Sequence, residues 1–215
     1  MQIGEPSYKK CPHCGKKNEY YKGPFFIHYY GLTEWSDGKT FEELPSLKKS
    51  KLQKCDSCNQ FYWFARKMGG MSFDDYVEAA AYFEEKYLKL SLTNLIHWLR
   101  NKQRLIYIRL NILRTYNDQI RIHPLSNDYI QREPIPDEKK EIFIKNAKRL
   151  IKFLVSVNSD DYFLIAELYR NLGEFEKAKE VLNKLTNSDK KELLLREIEL
   201  KNRDVVTIQQ PMIIR

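Results

Sequence analysis

The chain of 215 residues lacks several features that would place it in a familiar class of protein. No apolar run approaches the roughly 18 residues that a membrane-spanning helix needs, so we expect no membrane partner. The phosphate-loop pattern GxxxxGKS/T, the dinucleotide pattern GxGxxG, the zinc-protease pattern HExxH and the hydrolase pattern GxSxG are all missing. We therefore predict that the protein is not an enzyme.

The first residues also lack the charged leader, apolar core and small-residue cleavage site of a secretory signal. We therefore expect a cytoplasmic protein in a reducing compartment. Its hydrophobic fraction of 42% argues against wholesale disorder, and its length fits one or two folded domains.

Cysteine is scarce, yet every cysteine belongs to a CxxC pair. The two pairs are Cys11 with Cys14 and Cys55 with Cys58. In a reducing compartment this arrangement favours a metal over disulfide bonds. Gly15 and Asn59 follow the pairs, and both residue types tolerate the left-handed backbone that such a turn needs. Two turns of this kind bring four thiolates into a tetrahedron, which is the closed geometry of a structural zinc site.

This pattern resembles a zinc ribbon over roughly the first 66 residues, although the 40 residues between Cys14 and Cys55 exceed the usual ribbon spacing. The resemblance implies a structural Zn²⁺ that stabilises a small β domain and leaves no open coordination position for chemistry. A rubredoxin-like iron site uses similar turns and is the less favoured alternative, because Asp56 replaces the proline usual in the second one. We interpret His13 as an exposed turn residue rather than a ligand.

Between the pairs, Trp35-Ser36-Asp37-Gly38-Lys39 is a turn signal, since Gly38 can adopt positive φ and Asp37 can accept from the backbone two residues on. One interpretation is a hairpin tip, with most neighbouring rings in the core of the β domain. The other is an exposed aromatic surface flanked by lysines, suited to stacking bases or binding a peptide. The rings of that surface would be Trp35, Phe25, Phe26, Tyr29 and Tyr30.

The net charge of +8 is spread along the chain, and its densest basic run precedes the second cysteine pair. The run consists of Lys48, Lys49, Lys51 and Lys54. It is either a solvated loop or, together with Trp35, a surface for a partner or a nucleic acid.

Glycine divides the chain, because seven of the eight glycines lie in the first 70 residues. We predict an α+β protein with a zinc-ribbon-like β domain over residues 1–68 and an all-α domain over residues 72–215. Apolar periodicity predicts helices at about 72–90, 93–117, 137–157, 160–172, 174–186 and 189–201. Ser72 and Asp75 provide the N-terminal signals of the first helix, and the segment from Ile120 to Pro136 is predicted to be an irregular connection.

Residues 163–186 resemble one tetratricopeptide helix-turn-helix unit. The matching positions are Ala166, Tyr169, Gly173, Phe175, Ala178, Leu182 and Leu185. A single repeat cannot bury its own apolar face, so the resemblance implies a small degenerate helical array with neighbouring helices stacked on it. Such arrays are commonly protein-binding surfaces, but a divergent unit can equally be plain architecture.

The order of these elements resembles uncharacterised bacterial proteins of the same architecture, and only the four cysteines take a role from that resemblance. We expect a non-enzymatic zinc-binding adaptor that presents a helical surface to a protein partner. The first alternative is a nucleic-acid-binding zinc-ribbon protein, favoured by a pI of about 9.1. The second is a rubredoxin-like iron redox protein.

Overall fold

Aromatic and polar segments punctuated by glycine form short antiparallel strands at the front of the chain, and the Gly- and Pro-free stretch after Met71 forms helices. A computed structural model describes residues 6–21, 33–41, 49–68, 71–90, 95–121, 134–157, 160–186 and 188–209. Within these ranges the protein is mixed α+β and mostly helical, which confirms the predicted class at that level. The strands are β1 (Pro6–Lys10), β2 (Lys17–Tyr21), β3 (Thr33–Trp35), β4 (Thr40–Phe41), β5 (Lys49–Lys54), β6 (Phe61–Met68) and β7 (Thr207–Gln209).

The strands form three small sheets. β1 pairs with β2 and β5 pairs with β6, both antiparallel, so that each CxxC pair lies in the turn of a hairpin. The third sheet has the order β4-β3-β7, and β7 comes from near the end of the chain. The prediction that residues 72–215 are entirely helical is therefore wrong at Thr207–Gln209. The run of β-branched residues from Val205 to Ile208 favours a strand there, and the edge of β3 supplies its partner.

The described residues contain six α-helices. They are α1 (Phe73–Leu90), α2 (Leu95–Asn117), α3 (Asp137–Ser156), α4 (Tyr162–Asn171), α5 (Phe175–Leu182) and α6 (Asp189–Glu199). Each helix begins within two residues of its predicted start. α5 ends four residues before the predicted 186, because residues 183–185 continue as turns.

Side chains cap several of these helices. Ser72 and Asp75 form the reciprocal bonds predicted for the start of α1: the Asp75 amide donates to Ser72 Oγ at 3.1 Å, and the Ser72 amide donates to Asp75 Oδ2 at 3.2 Å. At the start of α4, Asp161 Oδ1 accepts from the Leu164 amide at 3.1 Å. These bonds satisfy amides that would otherwise lack a partner at a helix N-terminus.

The largest core joins the second hairpin to the helices. Leu52 of β5 and Phe61 of β6 are buried with residues of α1, α2, α3 and α4 in one apolar cluster. Trp63 packs against Phe83 and donates from Nε1 to the Tyr87 hydroxyl at 3.0 Å. The predicted boundary between two domains at residues 68–72 stays a prediction. The apolar cluster contains residues from both sides of that boundary.

A smaller core lies among α4, α5 and α6. Ala166 and Ala178 are fully buried there beside Leu182, Leu194 and Ile198. Small side chains allow α4 and α5 to approach closely, and Gly173 between them has φ of +78°, which glycine adopts without strain. These contacts give α4 the partners that its apolar side needs.

Two sequence-based interpretations fall on residues that the structure leaves undescribed. Gly69 and Gly70, which lie at the predicted domain boundary between residues 68 and 72, are outside the described residues, as are residues 122–133 of the predicted Ile120–Pro136 connection. Among the helices that the structure describes, none combines the length and apolar character needed to cross a membrane.

Candidate metal centre

The two CxxC segments fold into turns with the same hydrogen bonds. In the first turn, the Gly15 amide donates to the Cys11 carbonyl at 2.9 Å and the Cys11 amide donates to the Lys16 carbonyl at 2.8 Å. In the second, the Asn59 amide donates to the Cys55 carbonyl at 2.8 Å and the Cys55 amide to the Gln60 carbonyl at 3.0 Å. Each bond of one turn has its counterpart at the same spacing in the other.

Positive φ angles close both turns. Gly15 has φ of +73° and Asn59 has φ of +55°, as the residue types at these positions predict. The left-handed step turns the chain back toward the following strand, so both cysteines of a pair face the same side. The two hairpins then meet through their turns.

The four sulfur atoms lie together, with Cys11 Sγ 3.8 Å from Cys58 Sγ and Cys14 Sγ 3.7 Å from Cys55 Sγ. All four lie within 4.8 Å of one another. A tetrahedral ion with metal–sulfur bonds of about 2.3 Å requires sulfur atoms about 3.8 Å apart. The cysteines are therefore positioned to bind one metal ion, and the spacing fits both zinc and iron, which share this tetrahedral sulfur geometry.

The thiols differ in acidity because their surroundings differ. Burial raises the pKa of Cys55, but donation from the Ser57 and Cys58 amides and from neighbouring thiols outweighs it and lowers the pKa to about 6. The Gln60 amide lowers the pKa of Cys58, but burial and the other three thiols outweigh it and raise the pKa to about 12. Four thiolates this close repel one another, so full ionisation of the cluster requires a cation.

His13 is not among the four clustered ligands. Its Nε2 lies 3.2 Å from the Phe61 carbonyl oxygen, and its amide donates to Cys11 Sγ at 3.4 Å. The ring therefore links the first turn to the strand that follows the second turn. This is a structural role that its place inside the first CxxC pair did not indicate.

Trp35 is buried, with 1% of its surface exposed. The interpretation of Trp35 as part of an exposed partner or nucleic-acid surface is therefore wrong. Its ring lies under the guanidinium of Arg121, whose Cζ is 4.4 Å from the ring centroid. The other rings of that surface, Phe25, Phe26, Tyr29 and Tyr30, lie outside the described residues.

The turn after Trp35 is a hairpin tip, as the sequence suggested, but its Ser36 and Asp37 are buried while Gly38 is exposed. Gly38 has φ of +67°, and the Lys39 amide donates to Asp37 Oδ1 at 3.2 Å. Asp37 is fully buried and accepts two bonds from Arg121, at 2.6 and 3.2 Å, and one from Asn117 at 2.9 Å. The carboxylate is thus neutralised by a bidentate arginine from the segment after α2.

Ser36 connects the same turn to α4 and to the end of the chain. Its hydroxyl donates to Glu167 Oε1 at 2.6 Å and accepts from the Val206 amide at 3.0 Å. Glu167 and Arg170 are both fully buried and paired at 2.8 Å, and Arg170 also donates to the Asp204 carbonyl at 2.6 Å. These five residues therefore join three distant parts of the sequence.

The lysines of the basic run have different surroundings. Lys48 lies outside the described residues, and the side chain of Lys49 is not described. Lys51 is exposed, with Nζ 5.8 Å from the centroid of the Tyr107 ring. Lys54 forms ion pairs with Glu78 at 2.6 Å and Asp75 at 3.3 Å on α1, and these bonds raise the pKa of Lys54, the Glu78 bond most. Lys54 therefore holds β5 to α1.

Comparisons with known proteins give no match: none is found among protein-family models, curated proteins or solved structures.

Sequence reasoning did not identify Glu167, Arg170, Asn117 and Arg121 as partners of the turn. One signal was present, because Glu167 is a charged residue between Ala166 and Leu168 on the apolar side of a predicted helix. A buried acid on such a face needs a cation or a donor nearby. The sequence alone does not indicate which distant turn supplies that donor.

Proposed function

We propose that the four cysteines bind a structural Zn²⁺ and that the protein is a non-enzymatic adaptor. The observation that carries the proposal is the set of four sulfur atoms at near-tetrahedral spacing on two matched turns. Four thiolates complete the coordination shell of zinc, which leaves no position for a substrate or a reactive water. The ion would therefore stabilise the hairpins rather than catalyse a reaction.

The helical part provides the partner surface in this proposal. We interpret α4 and α5 as a tetratricopeptide-like unit, supported by the buried small residues Ala166 and Ala178 and by the left-handed Gly173. α3 and α6 are its neighbours in the array. Stacked helix pairs of this kind present extended faces to proteins.

The test combines metal analysis with affinity capture on the same material. Freshly purified, reduced protein should contain about one equivalent of zinc and no iron absorbance in the visible range. Capture from native lysate, with and without nuclease, should retain the same protein partner in both samples. A metal-free protein that melts like the wild type after all four Cys→Ser changes would refute the zinc assignment, and capture with no specific protein would refute the adaptor.

Nucleic-acid binding is the second candidate, favoured by the net charge of +8. It predicts a DNA or RNA mobility shift whose log affinity falls with log salt by about 0.7 to 0.9 for each phosphate neutralised. Reversal of Lys49 and Lys51 to Glu should flatten that slope. Absence of binding at low salt would exclude it.

Iron is the third candidate, and coloured protein from native expression would support it.

A further inference from the structure

A groove of about 350 Å³ lies between α1 and α3, which both pack on α2. One part of its lining is apolar and comes from all three helices: Val77, Ala80, Ala81, Ile112 and Ile142. Ala81 is exposed and Ala80 is small, so a further helix could approach the backbone of α1 closely at this point. Charged and polar side chains from the same three helices flank this apolar part.

The remaining lining is charged and rigidly held. Arg109 donates from Nε to Glu84 Oε1 at 3.0 Å and from Nη1 to Asn146 Oδ1 at 2.9 Å. Asn146 is 3% exposed, and its amide donates back to the Arg109 carbonyl at 2.9 Å. Phe153 supports the guanidinium, with Arg109 Cζ 5.8 Å from its centroid. Arg109 is therefore fixed in place before any partner arrives.

A second arginine shares the same carboxylate. Arg149 Nε lies 3.5 Å from Glu84 Oε1, and its side chain is 43% exposed. Lys145 lines the same wall and is exposed. The lining thus contains three cationic side chains and one carboxylate. Lys145 also pairs with Glu141 of α3 at 3.5 Å, whereas α2 has no acidic residue, so the cations of the lining outnumber its carboxylates.

We propose that this groove binds an acidic amphipathic helix of a partner protein. Its apolar side would cover Ala80, Ala81 and Ile142, while carboxylates one turn apart would meet Arg149 and Lys145. The excess of positive charge selects an acidic partner. The aliphatic part of the lining favours a helix over a nucleic acid strand, which would gain from rings on which bases could stack. The inference deepens the proposed adaptor function and rests on it for the existence of a partner.

The experiment selects helices without assuming their sequence. A displayed library of randomised 18-residue helical peptides is selected against the full-length, metal-loaded protein, and the enriched peptides are measured by fluorescence anisotropy. We expect enriched sequences to carry acidic residues spaced by three or four beside apolar ones. Arg149→Glu should weaken their binding by about tenfold or more. Ala81→Gln fills the groove without changing charge and should weaken binding similarly.

Lys148→Glu is the matched control, because Lys148 is exposed on the same helix and does not line the groove. It carries the same charge change as Arg149→Glu and should alter affinity by less than about threefold. Equal losses in the two variants would mean general charge attraction and would overturn the groove. So would enrichment of peptides without acids, or tighter binding to a single-stranded oligonucleotide or to anionic vesicles than to the selected peptides.

Failure of the groove and failure of the proposed function remain distinguishable. Metal content and melting temperature are measured on every variant, and neither should change in Arg149→Glu or Lys148→Glu. If selected peptides do not bind the groove while lysate capture still yields a partner, the adaptor survives and the groove assignment fails. If no zinc is bound but the peptides bind as described, the groove stands and the zinc assignment fails.

Discussion

Two regions at the front of the chain, the pair of cysteine turns and the turn at Ser36 and Asp37, hold distant segments together, and they do so with opposite chemistry. The cysteine turns bring Cys11 and Cys14 to Cys55 and Cys58, four groups of one kind that repel when ionised. The turn at Ser36 and Asp37 instead meets complementary groups, arginine against carboxylate and hydroxyl against carboxylate. The first arrangement requires something from outside the chain, whereas the second is complete from its own residues.

This difference explains where each turn lies. The Asp37 side chain is fully buried, and Arg121, Asn117 and the Lys39 amide satisfy both of its carboxylate oxygens. In the cysteine cluster only Cys11 and Cys55 are buried, while Cys14 is exposed. A cation can reach such a cluster from solvent, so the hairpins can fold around the ion as it binds.

Removal of one ligand from the cysteine cluster should have the largest effect. We expect Cys55→Ser to abolish stoichiometric metal binding and to lower the free energy of unfolding by more than about 5 kcal/mol, because structural zinc supplies about 10–16 kcal/mol in small domains. Metal analysis and thermal melting measure both. Ser57→Ala is the control, since this exposed residue of the same turn contributes its amide rather than its side chain. Unchanged melting in Cys55→Ser would contradict the metal centre.

Loss of the Asp37 charge should be the next largest effect. In Asp37→Asn the buried guanidinium of Arg121 loses its bidentate carboxylate, which costs about 3–5 kcal/mol when a buried pair is broken. Chemical denaturation measures the change. Unlike Cys55→Ser, Asp37→Asn should still bind metal. Chelation of the metal should lower its free energy of unfolding by the same amount as in the wild type.

Asp118→Asn provides the control for that experiment. Asp118 contacts Arg121 at 3.1 Å and also pairs with Lys39, but its side chain is 25% exposed, so its loss should cost clearly less than the loss of the Asp37 charge. Equal costs for the two substitutions would mean that burial of Asp37 contributes nothing, and the contrast between the two turns would fail.

Local features were readable from the sequence because they depend on residues close together in the chain. The left-handed positions Gly15, Asn59 and Gly38 follow from residue type, and the bonds between Ser72 and Asp75 follow from their spacing. Helix starts follow from apolar periodicity and caps. The clustering of the cysteines follows from the metal chemistry that two CxxC pairs imply.

Contacts between residues far apart in the chain could not be predicted from the sequence, and Trp35 shows why. Its sequence neighbours indicate a turn, and a turn residue is usually exposed. Its ring lies under Arg121, which is 86 residues later, and the neighbouring Ser36 bonds to Glu167, which is 131 residues later. Neither Arg121 nor Glu167 reveals in the sequence a preference for this turn. The pairing of β3 with β7 is equally remote, because a three-residue strand carries too little pattern to specify its partner.

The next effect concerns Asp75 in the first turn of α1, the helix on which the second hairpin packs. Asp75→Ala should lower the free energy of unfolding by about 1 kcal/mol. Burial raises the pKa of Asp75, but bonds from Ser72 and Lys54 outweigh it and lower the pKa below its ordinary value of 3.8. A carboxyl group with a lowered pKa stabilises the fold above its unfolded pKa, and this stability disappears as pH falls through the folded value. The cost of Asp75→Ala should therefore be full at pH 7 and vanish in strong acid.

Asp74→Ala is the control for that pH series, because Asp74 lies in the same first turn and is exposed. It shares the favourable position near the helix N-terminus, so the difference between the two variants isolates the bonds to Ser72 and Lys54. A pH-independent cost for Asp75→Ala would show that the carboxylate charge is not responsible.

The smallest effect should come from Lys54, which joins the second hairpin to α1 through Asp75 and Glu78. Exposed ion pairs contribute little and are screened by salt, so Lys54→Gln should destabilise the protein less than Asp75→Ala does and should match the wild type in about 1 M salt. Urea denaturation at two salt concentrations measures this, with Lys51→Gln as the control from the same strand. If Lys54→Gln instead reduced metal content, the second hairpin would need its contact with α1 to form the cysteine cluster. The cysteine cluster would then depend on the helices, as the turn at Ser36 and Asp37 does.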